Sequence, residues 1–443
     1  MRHSPIILLA LALSACSSDG TEKSDCTTQP CSQEVAVIPL EPSRDIDILF
    51  MIDNSGAMRE EQEALVASFD RFIDVLSGSE GGLPNLHIGV VSSNVGAGND
   101  GSDGCEGSGD NGALQNAPRG VCNPPDGAYI VDNGNGDGSR TRNYEGELAD
   151  TFSCIAQLGT LGCSFEQPLE SLKRALEPSN SGNAGFLRDD AWLVLVLLTD
   201  EDDCSARDSE LFSPDETGPL GPLASFRCFE FGVVCDDDQP RALGVKTGCQ
   251  SRENSTYLRP VSEYVSFFKG LKSDPSDVIV AGIMGNPTPV TVIRGIDENP
   301  RLGDSCTSST GRASPAVRIA SFLSSFPARN VSTTICNNNL SDAITVIGEL
   351  VTTALGSPCL QEAISTPLDC QVHDVRNHGQ SNEMRSELAQ CDSATAPTNE
   401  PCYVIAQDLQ QCATTPSGLM VEVHRTDAAP SDTSIVVTCK SER

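Results

Sequence analysis

Three runs of almost unbroken apolar residues limit what this chain can fold into. They are Ile46-Asp47-Ile48-Leu49-Phe50-Met51-Ile52, residues 192–198 and residues 278–283. Each is short for a helix, and none alternates as a strand with one wet face does. Strands buried on both faces of a parallel sheet read this way. Leu86-His87-Ile88-Gly89-Val90-Val91 reads as a further strand and residues 331–335 as a short edge strand. Helical stripes lie between these runs. Leu65, Phe69, Phe72, Ile73 and Leu76 form one. Leu169, Leu172 and Leu176 form another, opened by a capping box at Ser164-Phe165-Glu166-Gln167. Pro260 starts a third through Val261, Tyr264, Val265, Phe268 and Leu271. Residues 315–326 make a fourth, and Ser341 caps a fifth through Ile344, Ile347, Val351 and Leu355. Strands alternating with helices predict an α/β fold with a doubly wound, mostly parallel sheet.

Outside that pattern the composition changes. Residues 93–150 include Gly98-Asn99-Asp100-Gly101-Ser102-Asp103-Gly104, which is loop chemistry. They predict an insertion held by Cys105 and Cys122, with an edge strand near 128–131. A second cysteine-bearing insertion spans 204–258. Residues 357–443 carry six cysteines in short segments. They predict a small disulfide-rich appendage ending in strands near 419–424 and 434–439. Residues 17–43, rich in Ser, Thr, Asp and Pro, read as a tether ahead of a domain that begins at Asp45.

The chain opens with Met1-Arg2-His3, an apolar run from Ile6 to Leu13, and then Ser14-Ala15-Cys16. A basic start, a short apolar stretch and small residues describe an export signal over residues 1–15 rather than a membrane span. Leu13-Ser14-Ala15-Cys16 also resembles a bacterial lipobox. That resemblance implies cleavage before Cys16, lipid on its thiol and anchoring in the cell envelope. Ser17 and Ser18, in place of an aspartate, imply the outer membrane by the same resemblance. Ordinary signal cleavage near Ala15 is the alternative.

The chain's 19 cysteines agree with export, since setting Cys16 aside leaves an even number and up to nine bridges. Close pairs such as Cys26/Cys31 and Cys154/Cys163 suit local bridges, but spacing leaves the connectivity open. No Cys-x-x-Cys occurs, so neither a redox dithiol nor a zinc ribbon is supported. Lys and Arg total 29 against 62 Asp and Glu, a net charge of −33. Such a polyanion repels phosphate backbones, which argues against a nucleic-acid partner.

In an open α/β sheet, ligands bind beyond the carboxyl ends of the strands. The first apolar run ends in Asp53-Asn54-Ser55-Gly56-Ala57, and the run at 192–198 ends in Thr199-Asp200-Glu201-Asp202-Asp203. Both turns fall on one edge of the sheet. Two carboxylates and a hydroxyl, without thiolate or imidazole, suit a hard divalent cation: Mg²⁺ first, with Mn²⁺ or Ca²⁺ as alternatives.

These residues resemble the von Willebrand factor type A (VWA) family and its metal-ion-dependent adhesion site. That site uses Asp-x-Ser-x-Ser after the first strand, a Thr from a later loop and an Asp after the fourth strand. Residues 45–356 fit the family's strand–helix order. Asp53, Ser55 and Asp200 match three of its positions. Ala57 departs from the pattern, which has Ser there, and so removes one hydroxyl ligand. Thr160 has the loop setting of the family's Thr. Ser164 is the other candidate, with helix capping as its simpler reading. Glu201 and Asp202 stand close enough in sequence to fill in behind the ligands. The resemblance implies a domain that binds a protein ligand, whose carboxylate completes the cation's shell, rather than an enzyme.

Other motifs carry less. Asn133-x-Asn135-x-Asp137-Gly138 resembles half of a calcium loop, but Tyr144 stands where the final Glu belongs. His373 and His378 have no partnering ligand set and read as surface residues. A metal-independent structural or assembly role for an envelope lipoprotein is the rival reading, favoured by Ala57. A hydrolase lacks a placed nucleophile–base pair.

Overall fold

The computed structural model describes residues 32–440, apart from 40–43, 80, 99–103, 118–121, 310, 357, 361–363, 365–367, 394–396, 409–411, 413–414, 416, 428 and 431–432. The export signal, Cys16, Cys26 and Cys31 lie outside the described residues.

The first strands are β1 (Ser32–Pro39), β2 (Asp45–Ile52) and β3 (Asn85–Ser92), with helix α1 (Arg59–Ser77) between the last two. The hairpin β4 (Ile130–Gly134) and β5 (Arg140–Arg142) follows, then helices α2 (Leu148–Ala156) and α3 (Pro168–Leu176). Next come β6 (Trp192–Thr199), α4 (Val261–Lys269), β7 (Val278–Met284), α5 (Val317–Leu323), β8 (Asn330–Thr334) and α6 (Ser341–Ala354).

The main sheet runs β8-β7-β6-β2-β3-β4-β5. Its first five strands are parallel, and β4 and β5 add an antiparallel edge. The segment expected near 128–131 is therefore the inner strand of a hairpin, with β5 outside it. The half calcium loop is that hairpin's turn, where Asp137 accepts the Ser139 amide at 2.9 Å.

Side-chain alternation along each strand splits the core in two. Ile46, Ile48, Phe50 and Ile52 face a cluster with Leu65, Phe69 and Phe72 of α1, Phe152 of α2, and Ile344, Ile347 and Val351 of α6. Leu49 and Met51 face the other way, against Leu169 and Leu172 of α3, Tyr264 and Phe268 of α4, and Ile319 and Phe322 of α5. Phe69 and Phe152 stack with ring centroids 3.7 Å apart. Burying each such ring contributes about 1.5–3 kcal/mol. Both faces of the central strands are thus dry, as their unbroken apolar runs require.

A second sheet stands beside the first. It contains β1, β9 (Cys370–Arg376), β10 (Met384–Glu387) and, after β11 (Cys402–Gln407) and β12 (Leu419–His424), the last strand β13 (Thr433–Lys440). The order is β1-β13-β9-β10, all antiparallel. This corrects the tether at residues 32–39. Val35-Ala36-Val37-Ile38 is a buried strand paired with the far end of the chain. A local reading of composition does not see a partner that distant. His378 is also corrected: it is buried, with Nε2 3.4 Å from Glu34.

Among the described residues eight disulfides join Cys105–Cys163, Cys122–Cys154, Cys204–Cys228, Cys235–Cys249, Cys306–Cys336, Cys359–Cys412, Cys370–Cys439 and Cys391–Cys402. Cys154 and Cys163 are not partners. Each instead ties one cysteine of the first insertion back to the domain. Among the described residues no helix is long and apolar enough to cross a membrane.

Candidate functional site

The register of β2 against β6 places Ile52 opposite Leu198. Pairing continues one step further, with the Asp53 amide donating to the Leu198 carbonyl at 2.9 Å. Asp53 and Thr199 are therefore neighbours across the strand ends. The Asp53 carboxylate accepts the Thr199 hydroxyl at 2.7 Å, the Ser55 amide at 2.8 Å and the Ser93 hydroxyl at 3.2 Å. Asp53 is fully buried, and Ser55 and Asp200 nearly so.

The loop at 159–162 is fastened to this turn. Gln62 of α1 donates to the carbonyls of Asp53 and Gly159 and accepts the Gly159 amide. The Gly162 amide donates to the Asn54 carbonyl at 2.7 Å. Thr160 lies partly exposed in this loop, and among the described residues no hydrogen bond joins it to Asp53 or Asp200. Leu161 beside it is 90% exposed.

Ser164 is not the cap of α3. The helix begins at Pro168 with Gln167 at its N-cap and no side-chain capping bond. Ser164 instead lines an open cavity of about 240 Å³ with Ser55, Ala57, Glu166, Asp200 and Glu201. Leu223, Ala224 and Ser225 of the second insertion line it as well. Two of the disulfides, Cys105–Cys163 and Cys204–Cys228, share one apolar cluster with Phe165 and Phe212 beside this cavity. The covalent links thus brace both insertions at its rim.

The acidic turn after β6 divides its work. Asp202 accepts the backbone amides of Arg318 and Ile319 at the start of α5, at 2.9 and 3.1 Å. Asp203 takes the Arg318 guanidinium at 2.9 Å, with both side chains fully buried. These two residues hold the turn against α5. Asp200 and Glu201 line the cavity, and the Asp200 carbonyl accepts the Ser314 amide at 2.8 Å.

Glu166 is the residue that sequence reasoning missed. It sits ahead of α3, where it reads as part of a capping box, yet it is buried in the cavity wall. Two long-range backbone bonds put it there: Gln167 to Ser93, and Cys204 to Glu166 itself. No local signal in the sequence announces either.

Burial and mutual repulsion raise these acids together. Burial is the largest cause for Asp200, pushed up to about 9, with Asp53, Glu201 and Glu61 adding repulsion. Glu201 rises to about 7 through burial and then Asp53, against a Ser314 hydrogen bond. Burial and the Asp53 charge carry Glu166 well above the ordinary carboxylate range. Asp53 itself is raised by burial, against the Thr199, Ser55 and Ser93 donors. The buried Oδ1 of Asp200 has no hydrogen-bond partner among the described residues. Among the described residues no basic side chain lines the cavity.

Among the described residues no set of three or more His, Cys, Asp or Glu side chains is arranged as a ready metal cage. The donor set is instead two strand-end carboxylates with hydroxyls, which leaves water to complete a shell. That composition fits a hard cation, and so does the unpartnered oxygen of Asp200.

No family model matches the chain, and no curated protein does. Among solved structures it is similar to proximal thread matrix protein 1 from the mussel byssus, at 11% identity and TM-score 0.29 over 70% of this chain and 49% of that one. A von Willebrand factor type A protein from Catenulispora acidiphila is similar at 11% identity and TM-score 0.27, over 93% and 64%. The pilus adhesin RrgA from Streptococcus pneumoniae is similar at 11% identity and TM-score 0.29, over 92% and 58%. The chain spans less than two thirds of each of these proteins. A functional reading rests on the strand-end residues themselves.

Proposed function

We propose that this is a protein-binding component of the bacterial cell envelope. In this reading its doubly wound, VWA-like domain holds a divalent cation at the ends of β2 and β6 and binds a protein ligand over that edge. Asp53, Ser55 and Asp200 hold the cation directly or through water, and Thr160 or Ser164 supplies a further hydroxyl. When bound, the cation supplies positive charge and a coordination position facing the partner. Mg²⁺ suits the site best, because it keeps several waters and needs few protein ligands. Lipid on Cys16 anchors the chain, in the outer membrane on this reading.

The observation that carries the proposal is Asp200. Among the described residues its buried Oδ1 has no partner, the Asp53 charge acts on it, and no basic residue lines the cavity to balance either. Ionising a carboxyl in that position is costly unless a cation reaches it.

Calorimetric titration of Mg²⁺, Mn²⁺ and Ca²⁺ into the oxidised chain tests this, beside Asp53→Ala. One saturable site, lost in the variant, supports it. Titrations without saturable heat, together with melting unchanged by metal, overturn it. The rival is a metal-independent assembly role. It is favoured by Ala57 and by the three donors that already satisfy Asp53. Partner capture that survives chelation would establish that role.

A further inference from the structure

We infer that the cavity beside Asp200 receives a lysine or arginine side chain from a basic partner protein, not an acidic one. The inference rests on the proposed protein-binding role of this edge and names the chemistry of the partner.

Glu166, Asp200 and Glu201 line the same cavity, and the buried Asp53 lies close enough that its charge acts on all three. A single divalent cation offsets two of these four carboxylates at most when they ionise, and their raised pKa values mark how costly the remaining charges are without a further cation. A partner carboxylate entering the same space adds a fifth acidic group to a site with no basic residue in its lining. Like charges so placed repel strongly where water is scarce. An ammonium or guanidinium does the reverse: it gives Glu166 and Glu201 the counter-charge they lack. The cation's open position is then served by water or by a neutral carbonyl oxygen.

The rest of the lining fits the same guest. Leu223, Ala224 and Phe165 offer apolar surface for the methylene stem, and Ser164 and Ser225 add hydroxyls that can accept from the charged head. Lysine and arginine have this division, an apolar stem and a charged tip. At about 240 Å³ the cavity is smaller than small-molecule sites of roughly 300–1,000 Å³ and suits one long side chain. The oxygen of Asp200 that also carries the cation reading is more than nine-tenths buried and has no donor among the described residues, so negative charge there is uncompensated. The chain's net charge of −33 steers basic partners toward it.

Ligand-observed NMR on the full oxidised chain in Mg²⁺ tests this, because it registers weak binding. The probes are N-acetyl-lysine amide, N-acetyl-arginine amide and N-acetyl-glutamate amide. The basic probes are expected to bind and the glutamyl probe not. Glu166→Gln and Glu201→Gln should each weaken the basic probes by about tenfold or more. Melting curves of both variants with Mg²⁺ confirm that they fold. A glutamyl probe that binds as well as the lysyl one overturns the inference, as does lysyl binding unchanged in both variants, or no binding by any probe. Mg²⁺ calorimetry separates the two proposals. Mg²⁺ binding with glutamyl preference keeps the cation site and overturns the basic guest. Lysyl binding at Glu166 and Glu201 without any Mg²⁺ heat keeps the basic guest and overturns the cation site.

Discussion

Thr199, the last residue of β6, donates its hydroxyl to the buried Oδ2 of Asp53, the first residue past β2, at 2.7 Å. This bond joins the two strand ends at the point where backbone pairing stops. Thr199→Val keeps the shape of the side chain and removes the donor. Both residues are fully buried, so the loss costs about 1–3 kcal/mol. Urea unfolding of the variant in EDTA should show a lower midpoint with an unchanged slope. A midpoint equal to that of the wild type would mean that the bond contributes nothing.

The raised acids make a prediction about pH. Asp200 at about 9 and Glu201 at about 7 keep protons in the folded chain that ordinary carboxylates near 3.8 and 4.5 have lost. The folded state therefore binds more protons than the unfolded one, and stability falls as pH rises through that window. His87, which burial pushes below its ordinary 6.5, works in the opposite direction at lower pH. The informative comparison is thus wild type against Asp200→Asn above pH 6.5. Metal-free wild type should lose denaturant resistance between about pH 6.5 and 8.5, with a shallower slope in the variant. Saturating Mg²⁺ should remove most of the loss in the wild type, since a bound cation favours the ionised carboxylates.

Arg318 is predicted to hold the acidic turn in place. Its guanidinium meets Asp203 at 2.9 Å and also donates to the Asp203 and Arg259 carbonyls. Arg318→Met leaves Asp203 buried without its counter-charge, which costs about 3–5 kcal/mol. Asp203→Asn combined with Arg318→Met should recover part of that loss, because no uncompensated charge then remains. Guanidinium titration of the wild type and the two variants measures both effects. Equal stabilities for the single Arg318→Met and the double variant would rule out the charge as the cause.

Legibility in the sequence followed the range of the contacts. The runs at 46–52 and 192–198 declare strands because both faces of each are buried, a property carried by the segment itself. Asp53 and Asp200 follow from those strands, since parallel pairing brings their ends to one edge. Glu166 does not follow, because its place depends on backbone bonds from Gln167 to Ser93 and from Cys204. The pairing of Val35-Ala36-Val37-Ile38 with β13 was hidden for the same reason, and so was the bridge from Cys105 to Cys163. Ser164 was misplaced by a local pattern. Its capping box is a legitimate helix signal, but Pro168 begins the helix and frees the serine to line the cavity.

Ala57 offers the most direct gain-of-function test. It is exposed and lines the cavity beside Ser55, at the position where the family resemblance implies a hydroxyl. Ala57→Ser adds one oxygen without displacing any packed atom, so the fold should melt within about 0.5 kcal/mol of the wild type in the absence of metal. With metal the hydroxyl replaces a bound water in the cation's shell. Freeing that water recovers immobilisation entropy of up to about 2 kcal/mol, so affinity should rise from severalfold to about thirtyfold. Calorimetric titration of Mg²⁺ into wild type and variant reads the change directly. Added affinity that disappears in Asp53→Ala/Ala57→Ser would tie the new ligand to the Asp53 site. No gain in affinity would mean that the wild-type cation, if bound, does not reach the position Ala57 occupies.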